Sequence, residues 1–223
     1  LGYARLYTTM DLLQGFFQIE LEPEDRYKTA FATPWGQMCY NRLPMGLTSA
    51  PGTFMRVVDA ALRGLPPGLA LAFVDDIITA TNGDMEAHMV DVGRVFDRLI
   101  EAGFTVRCDK VYIGKTEVPY LGFLVSSAGT RPNPEKTKAL LEMSVAGMKG
   151  SAAAVARFVG MMGFYARFIP QAQTLLAGLN AVKGKKVDAA EQMSRLGFQA
   201  AVATLLHELG NVTALTRPDH EKP

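Results

Sequence analysis

Apolar positions along the first 130 residues alternate in short runs that predict strands, interrupted by two stretches with helical spacing. The runs YARLYTTMDL and TAFATP predict strands around the acidic turn EPEDRY, and QMCYNRLP predicts a third strand. Between Thr53 and Arg63 the apolar residues fall on one helical face, with Ser49 or Thr53 as the N-cap. That face consists of Phe54, Val57, Val58, Ala61 and Leu62.

The second helical stretch is strongly amphipathic and predicts a helix from Met85 to Ala102, ended by Gly103. No chemistry requires His88, which is predicted to lie on the surface of this helix. The predicted inward face is Met89, Val92, Phe96 and Leu99, and the outward face is Arg94, Asp97, Arg98 and Glu101.

Beyond this helix the pattern returns to strand-like runs and then changes to helices. FTVRCDKVYI and VPYLGFLVSS predict strands, the latter interrupted by Gly122. From Pro134 onward helical spacing dominates, over residues 135–143, 152–168, 171–182 and 189–209, and VTALT predicts a final strand. Composition, charge and periodicity all change at GTRPNP, which is therefore the predicted division between two parts of the chain.

The formal net charge of +1 hides an uneven distribution of charged residues. Residues 1–130 carry 11 basic and 15 acidic groups, residues 131–186 carry 9 and 2, and residues 187–223 carry 3 and 5. A basic block beside an acid-bearing block suits a nucleic-acid enzyme, in which one part grips phosphates and the other gathers metal ions. A solvated basic face is the alternative interpretation.

Composition favours a globular intracellular protein. The apolar content of 48% is ample for a packed core, and no apolar run is long enough to cross a bilayer. The N-terminal sequence has none of the features of a secretory signal, so an intracellular location is expected: cytoplasmic, in a virus-like particle or nuclear. Cys39 and Cys108 have no CxxC spacing and are predicted to be core thiols, not a disulfide or a zinc site.

The stretch LALAFVDDIITATNG places Asp75 and Asp76 side by side in an otherwise almost wholly apolar run. It predicts two short buried strands joined by a tight acidic turn. Burying an ionised carboxylate costs on the order of several kcal/mol unless a cation meets it. Asp11 ends another predicted strand, and adjacent strands of one sheet could bring these acids together. Converging carboxylates suit a pair of Mg²⁺ ions, although a solvated hairpin tip also explains an acidic pair.

Six ordered blocks of sequence carry a resemblance to a known family. TMDLLQGFFQIELEPEDRYKTAF, YNRLPMGLTSAPGTFMRVVD, FVDDIIT, EAHMVDVGRVFDRLIEAGF, VPYLGFLVSSAGTRPNPEK and VARFVGMMGFYARFIPQAQTLLAGL are similar, in order and approximate spacing, to the reverse transcriptases of gypsy-type long-terminal-repeat retrotransposons. The resemblance implies an α+β palm, an antiparallel sheet with packed helices in the split-βαβ, ferredoxin-like manner, followed by helices. It implies a palm with part of the fingers over residues 1–130, a thumb or connection-like helical segment over 131–210, and the start of a truncated ribonuclease H-like region over 211–223.

The resemblance also implies roles for individual residues. Asp11 and Asp75 would be the principal ligands of two Mg²⁺ or Mn²⁺ ions, with the Leu12 carbonyl and Asp76 in support. Lys110 matches a lysine that protonates the leaving pyrophosphate, and Phe16 an aromatic residue that excludes ribonucleotides. Met45 and Gly46 would line the nucleotide and template, and Leu121 and Gly122 would hold the primer end. The predicted phosphate contacts are Arg157, Arg167, Lys183, Lys185 and Lys186.

Some of these residues also have plain structural interpretations. Phe16 could belong to the core, Met45 could fill a packing gap, and Lys110 is a single lysine near a turn. Phe73 stands where the family usually has a tyrosine.

The implied partners are an RNA or DNA template-primer, deoxynucleoside triphosphates and the rest of a Pol polyprotein, namely fingers before Leu1, ribonuclease H and integrase; no membrane partner is expected.

The predicted activity is RNA-directed DNA polymerisation, with three rivals. The first is a catalytically inactive or domesticated domain that binds nucleic acid, against which the retained Asp11, Asp75 and Asp76 argue because carboxylates repel phosphates. The second is an RNA-dependent RNA polymerase, which Phe16 disfavours. The third is a metal-dependent phosphatase or nuclease, which would not explain the ordered blocks.

Overall fold

The computed structural model describes residues 4–148, 151–180 and 196–215. Two compact units are formed, one from Leu1–Leu121 with Val125–Ser127 and the other from Gly122–Leu124 with Ala128–Pro223. The domain boundaries predicted after residues 130 and 210 stay predictions. In chain order the strands and helices are β1 (Leu6–Asp11), β2 (Phe31–Thr33), β3 (Gly36–Met38), α1 (Ala50–Ala61), β4 (Ala70–Phe73), β5 (Asp76–Thr81), α2 (Met85–Glu101), β6 (Tyr112–Lys115), β7 (Glu117–Tyr120), β8 (Phe123–Ser126), β9 (Gly129–Pro132), α3 (Pro134–Leu141), α4 (Ala152–Tyr165), α5 (Ala172–Asn180) and α6 (Leu196–Gly210).

The first unit is built on a four-stranded sheet with the strand order β4-β5-β1-β6. All three strand pairs are antiparallel. Helix α1 connects β1 to β4 and α2 connects β5 to β6, which is the βαββαβ connectivity of a ferredoxin-like, split-βαβ fold. The predicted fold class is therefore confirmed.

Strands β1 and β5 are buried on both faces because a different hydrophobic cluster covers each side. One cluster joins residues such as Met10 and Ile77 to Phe54 of α1 and Leu99 of α2. The other joins Tyr7, Ile78, Ala80 and Val118. Successive strand residues point to opposite faces, so the neighbours Ile77 and Ile78 stabilise opposite sides of the sheet.

Local sequence signals set the helix ends. The side chain of Asp84 accepts a hydrogen bond from Ala87 N–H and caps α2. Gly103, at φ +77°, ends the helix, and Phe104 N–H donates to the Leu99 carbonyl as in a Schellman motif. Helix α1 starts at Ala50, three residues before the predicted Thr53, and Ser49 is its N-cap by position without a side-chain cap hydrogen bond.

Several predicted strands are shorter, or more exposed, in the structure than the sequence indicated. The run QMCYNRLP forms a strand only through Met38, and FTVRCDKVYI forms one only from Tyr112 after a 3-10 turn at Cys108–Lys110. Strand β4 was predicted to be buried, yet Leu71 and Phe73 are 47% and 57% exposed because β4 lies at the sheet edge.

Predictions for two cysteines and two α2 residues were also wrong. Cys39 and Cys108 are exposed free thiols, because neither lies on a core-facing element. On α2, Met89 is 47% exposed and His88 is fully buried, because the inward stripe runs through His88, Val92, Val95 and Leu99.

His88 is buried within a continuous chain of polar groups. Its Nδ1 lies 3.0 Å from Thr81 Oγ1, which donates to Asp91, and its Nε2 lies 2.7 Å from Thr8 Oγ1. Thr8 Oγ1 in turn accepts a hydrogen bond from Gly114 N–H. Because the Thr81 hydroxyl donates to a carboxylate, it accepts from Nδ1–H, so the neutral Nδ1-protonated tautomer satisfies every partner. Burial lowers the pKa of His88, although the nearby Asp91 charge raises it.

The second unit is mainly helical, as its apolar periodicity predicts. Helix α4 packs against α5, α5 against α6, and α3 contacts both α4 and α6. Helix α6 begins at Leu196, and the first part of the predicted helix 189–209 lies outside the described residues. The predicted strand VTALT contributes an isolated bridge between Leu215 and Thr130. Among the described residues, no helix combines the length and apolar character needed to span a bilayer.

Candidate active site

A two-residue turn between β4 and β5 presents the acidic pair. Phe73 pairs with Asp76, so Val74 and Asp75 are the central residues of the turn. Val74 has φ +55°, and a positive φ at the first central position is the pattern of a type II′ turn. A β-branched residue is unfavourable in this region. The Val74 N–H donates to Met55 Sδ of α1 at 2.8 Å, which ties the strained residue to the core.

The ends of β1 and β5 bring Asp11 to the same place. Asp11 and Asp76 are directly opposite in the antiparallel register, so their side chains point to the same face of the sheet. The Leu12 N–H donates to the Asp75 carbonyl at 3.0 Å and fixes the turn against the end of β1. Asp11 and the adjacent pair Asp75–Asp76, which are distant in sequence, thus lie together at one end of the inner strands.

The crowding of these acids is visible in their pKa values. Burial raises the pKa of Asp11, and the Asp75 charge raises it further, while Lys110 and Arg107 lower it. The pKa of Asp76 is raised by desolvation first and then by the charges of Asp75 and Asp11. Carboxylates that resist ionisation together are those that a divalent cation would stabilise.

A buried glycine makes room for this arrangement. A Cβ atom at Gly15 would lie 2.7 Å from Phe54 Cζ and 3.5 Å from Asp75 Cβ. Gly15 opens the 3-10 turn Gly15–Gln18 that carries Phe16, whose ring packs 5.1 Å from the Phe54 ring. Phe16 is partly buried against the core cluster, so it has a packing role, and its neighbour Gly15 is the residue that lies against Asp75.

Two cations converge on one carboxylate oxygen. Asp11 Oδ2 lies 3.9 Å from Lys110 Nζ and 3.5 Å from Arg107 Nη1. The structure therefore places the predicted Lys110 beside the acids, and its role in proton transfer stays a prediction. Arg107 was missed because FTVRCDK carries no signal that distinguishes it from a surface arginine.

Tyr120 of β7 is another residue that the sequence did not single out. Its hydroxyl donates to the Asp76 backbone carbonyl at 3.5 Å. Desolvation and the Asp76 charge raise the pKa of Tyr120 to about 12. The phenol therefore stays protonated at neutral pH and acts as a donor beside the acidic turn.

The donor set fits divalent cations of the Mg²⁺ type. Within the described ranges, no group of three or more His, Cys, Asp or Glu side chains forms a ready-made metal cage. Mg²⁺ is nevertheless commonly held by one or two carboxylates together with substrate phosphates. Asp11 and Asp75, which are close enough for the Asp75 charge to raise the pKa of Asp11, supply that pair.

The remaining predicted positions lie on exposed turns and helix surfaces. Met45 is 68% exposed, and Gly46 has φ +94°. Leu121 and Gly122, at φ +50° and +82°, form the two-residue turn between β7 and β8, with the positive angles of a type I′ turn.

The predicted phosphate-contacting residues of the second unit are only partly described. Arg157 is exposed on α4, and the guanidinium of Arg167 lies 4.3 Å from the centre of the Phe123 ring. Lys183, Lys185 and Lys186 lie outside the described residues. The structure therefore brings together Asp11, Asp75, Asp76 and Lys110, and the functional roles of all predicted site residues stay predictions.

Comparison with known proteins is in agreement with this geometry. The chain is 33% identical over its whole length to the retrovirus-related Pol polyprotein from transposon 297 of Drosophila melanogaster, of which it covers 20%. It is 32% identical to the corresponding gypsy polyprotein of the same species, again over its whole length and covering 22% of that protein. The chain thus spans about a fifth of these relatives.

A solved structure shares the fold. The foamy viral protease-reverse transcriptase in complex with double-stranded DNA matches 98% of this chain and 37% of that chain, with a TM-score of 0.84 and 22% identity. The family model described as reverse transcriptase (RNA-dependent DNA polymerase) matches residues 1–125. The resemblance to gypsy-type retrotransposon enzymes is confirmed, and the chain belongs to the reverse transcriptase family.

Proposed function

We propose that this chain carries the polymerising site of an RNA-directed DNA polymerase. The observation that carries the proposal is the meeting of Asp11 with the Asp75–Asp76 turn in a family member. The reaction is attack of a primer 3′-hydroxyl on the α-phosphate of a deoxynucleoside triphosphate, directed by an RNA or DNA template. Pyrophosphate leaves, and one phosphodiester bond forms as one phosphoanhydride bond breaks.

Two divalent ions, Mg²⁺ or Mn²⁺, supply charge stabilisation for the attacking and departing oxygens when bound. Asp11 and Asp75 are the proposed ligands, with Asp76 and the Leu12 carbonyl in support. Lys110 is proposed to give a proton to the departing pyrophosphate, and Tyr120 holds the Asp76 backbone through its hydroxyl. Phe16 is proposed to block a ribose 2′-hydroxyl, because its ring is held in place by Phe54.

Several sources support the proposed partners. The solved relatives are complexes with DNA and with an RNA/DNA hybrid, and the curated relatives are much longer Pol polyproteins. We therefore propose that this chain acts on an RNA/DNA template-primer as part of such a polyprotein. Arg157 and Arg167 are the described residues proposed to contact phosphates.

Primer extension tests the proposal. Oligo(dT) on poly(rA) is extended with dTTP, with and without Mg²⁺, by this chain and by a longer one that includes the sequence preceding Leu1. Asp75→Asn should reduce extension by more than about 100-fold while preserving the melting temperature, since even outer-shell ligands affect metal sites by about 10- to 100-fold. Asp97→Asn is the matched control, because Asp97 is exposed on α2, and its extension should equal that of the wild type. Replacing dTTP with UTP tests Phe16.

A catalytically inactive nucleic-acid-binding domain is the second candidate. It is favoured by the two cations at Asp11 Oδ2, Arg107 and Lys110, which neutralise that carboxylate without a metal ion. Retained binding of the template-primer without any Mg²⁺-dependent extension by the longer chain would select it. Unchanged extension by Asp75→Asn would reject the assigned metal ligands.

A further inference from the structure

We propose that Arg107 is a charge-exchange residue: its guanidinium neutralises Asp11 in the metal-free protein and moves to substrate phosphates when a divalent cation binds Asp11. This proposal rests on the proposed polymerase function and assigns Arg107 the triphosphate or pyrophosphate as its second partner. Nothing in the family resemblance assigns a role to this position.

The backbone fixes Arg107 beside the acid. Its N–H donates to the Asp11 carbonyl at 2.8 Å, and Leu12 forms a bridge with Val106. Arg107 is therefore placed next to Asp11 by main-chain geometry, whereas a long surface side chain would sample many positions. Its guanidinium reaches Asp11 Oδ2 at 3.5 Å and is one-third exposed, while Asp11 is only 17% exposed.

The contacted atom is one that a metal ion also needs. A guanidinium is a permanent cation that cannot be removed by deprotonation in proteins. The Arg107 charge therefore competes with a divalent ion for Asp11 Oδ2, and Lys110, at 3.9 Å and more exposed, competes more weakly. A polyphosphate that arrives with the metal offers the guanidinium a new partner that its planar fork fits well.

A third contact limits how far the side chain moves. Arg107 Nε lies 3.8 Å from Asp109 Oδ1 at the exposed rim of the same turn. The guanidinium therefore contacts an acid of the site and an acid at its edge at the same time, so it keeps an anionic neighbour when it leaves Asp11.

Metal binding without nucleotide is the first measurement. Mn²⁺ is titrated calorimetrically into the full chain and into Arg107→Gln, Arg94→Gln and Asp75→Asn. Arg107→Gln should bind Mn²⁺ about twofold to fivefold more tightly, the range expected when a partly exposed ion pair no longer competes. Arg94→Gln is the matched control, because Arg94 pairs with Asp91 on α2, and its Kd should equal that of the wild type.

Pyrophosphate binding is the second measurement, made in saturating Mn²⁺. Arg107→Gln should weaken inorganic pyrophosphate binding by about fivefold or more, because a charge-assisted hydrogen bond is lost. Arg107→Lys should weaken pyrophosphate binding by about threefold, since lysine keeps the charge but lacks the planar pair of N–H donors of a guanidinium. If Arg107→Gln does not fold, Arg107→Lys decides the question, and a pyrophosphate Kd equal to that of the wild type overturns the proposal.

The outcomes separate this proposal from the proposed function. Weaker Mn²⁺ binding by Asp75→Asn, together with an unchanged or weaker Mn²⁺ affinity of Arg107→Gln, overturns the role of Arg107 alone. An Asp75→Asn variant that binds Mn²⁺ like the wild type overturns the metal ligands, and with them both proposals.

Discussion

Two hairpin turns of this protein contain residues with positive φ, and they differ in the type of residue that adopts it. In the β4–β5 turn the strained residue is Val74, which has no glycine beside it and is tied to Met55 Sδ. In the β7–β8 turn Leu121 is followed by Gly122, and glycine adopts φ +82° with little strain. The first turn carries Asp75 and the second carries no acid. The first turn therefore places a β-branched residue at positive φ beside the proposed chemistry, whereas the second divides its positive angles between Leu121 at φ +50° and a glycine, as in an ordinary type I′ hairpin.

The largest effect should come from the glycine that supports the first turn. Gly15→Ala would place Cβ against the Phe54 ring, and overpacking of a core costs about 1–3 kcal/mol. Urea unfolding should show that loss, and primer extension should fall because Asp75 is displaced. Gly160→Ala is the control, because Gly160 is an exposed helical residue with open space around it and should gain about 0.5–1 kcal/mol. Equal stability of Gly15→Ala and the wild type would show that the packing beneath Asp75 is loose.

A reciprocal exchange tests the turns directly. Gly122→Val should cost about 2 kcal/mol, because a β-branched residue is forced to φ +82°. Val74→Gly should change the free energy of unfolding by less than about 1 kcal/mol, because relief of strain offsets the greater backbone entropy of glycine in the unfolded chain. The two values are compared by urea denaturation. A similar cost for both substitutions would contradict the assignment of strain to Val74.

The acids at the β4–β5 turn should make the stability of the protein depend on pH, which the β7–β8 turn should not. Because the folded-state pKa values of Asp11 and Asp76 are raised, the stability that they contribute is complete below about pH 3.8 and is lost as pH rises through the folded values. Asp11→Asn should therefore be more stable than the wild type at pH 7 without metal, and the advantage should vanish near pH 3.8. Added Mn²⁺ at pH 7 should stabilise only the wild type. Thermal melting from pH 3.5 to 7.5, with and without Mn²⁺, measures these differences in stability. A difference between Asp11→Asn and the wild type that does not change with pH would contradict the raised pKa of Asp11.

The smallest effect concerns the bond that holds Val74. Met55→Leu keeps the side-chain volume and removes the sulfur acceptor, which should cost about 0.5–1 kcal/mol because a partly buried N–H loses its partner. Met89→Leu, at a 47% exposed methionine on α2, is the control and should leave both stability and extension unchanged. Primer extension should fall for Met55→Leu more than its stability does, if the turn geometry matters for Asp75. A parallel fall of both would mean that the bond only stabilises the fold.

The parts of this molecule that were predictable are those with a local sequence signal. Period-2 and period-3.6 patterns identified β1, β5 and α2, and the acids at strand ends indicated where Asp11 would meet Asp75. His88 could not be assigned in this way, because its partners Thr8 and Thr81 come from two separate strands, and Thr8 is in turn bonded by Gly114 of a third. Arg107 was missed for the same reason, since its position depends on a main-chain bond to Asp11 that only the folded sheet creates.

The sequence also could not predict that β4 lies at the edge of the sheet. An apolar run such as LALAFV predicts a central strand, and only the order β4-β5-β1-β6 shows that one side of it lacks a neighbour in this sheet. Side-chain exposure at Leu71 and Phe73 follows from that order and not from composition. Patterns along the chain report which residues are apolar, whereas sheet order decides which of them are covered.

The polar chain through His88 has a mechanical consequence. It ties α2 to β5, β1 and β6 by directional bonds, so the helix cannot slip by one turn along the sheet without breaking several of them at once. Helix α2 and strands β1, β5 and β6 are therefore expected to move together as one unit. Strand β4 is the one strand of this sheet that the chain of bonds through His88 does not reach, and its turn is held to β1 by the Leu12–Asp75 backbone bond instead.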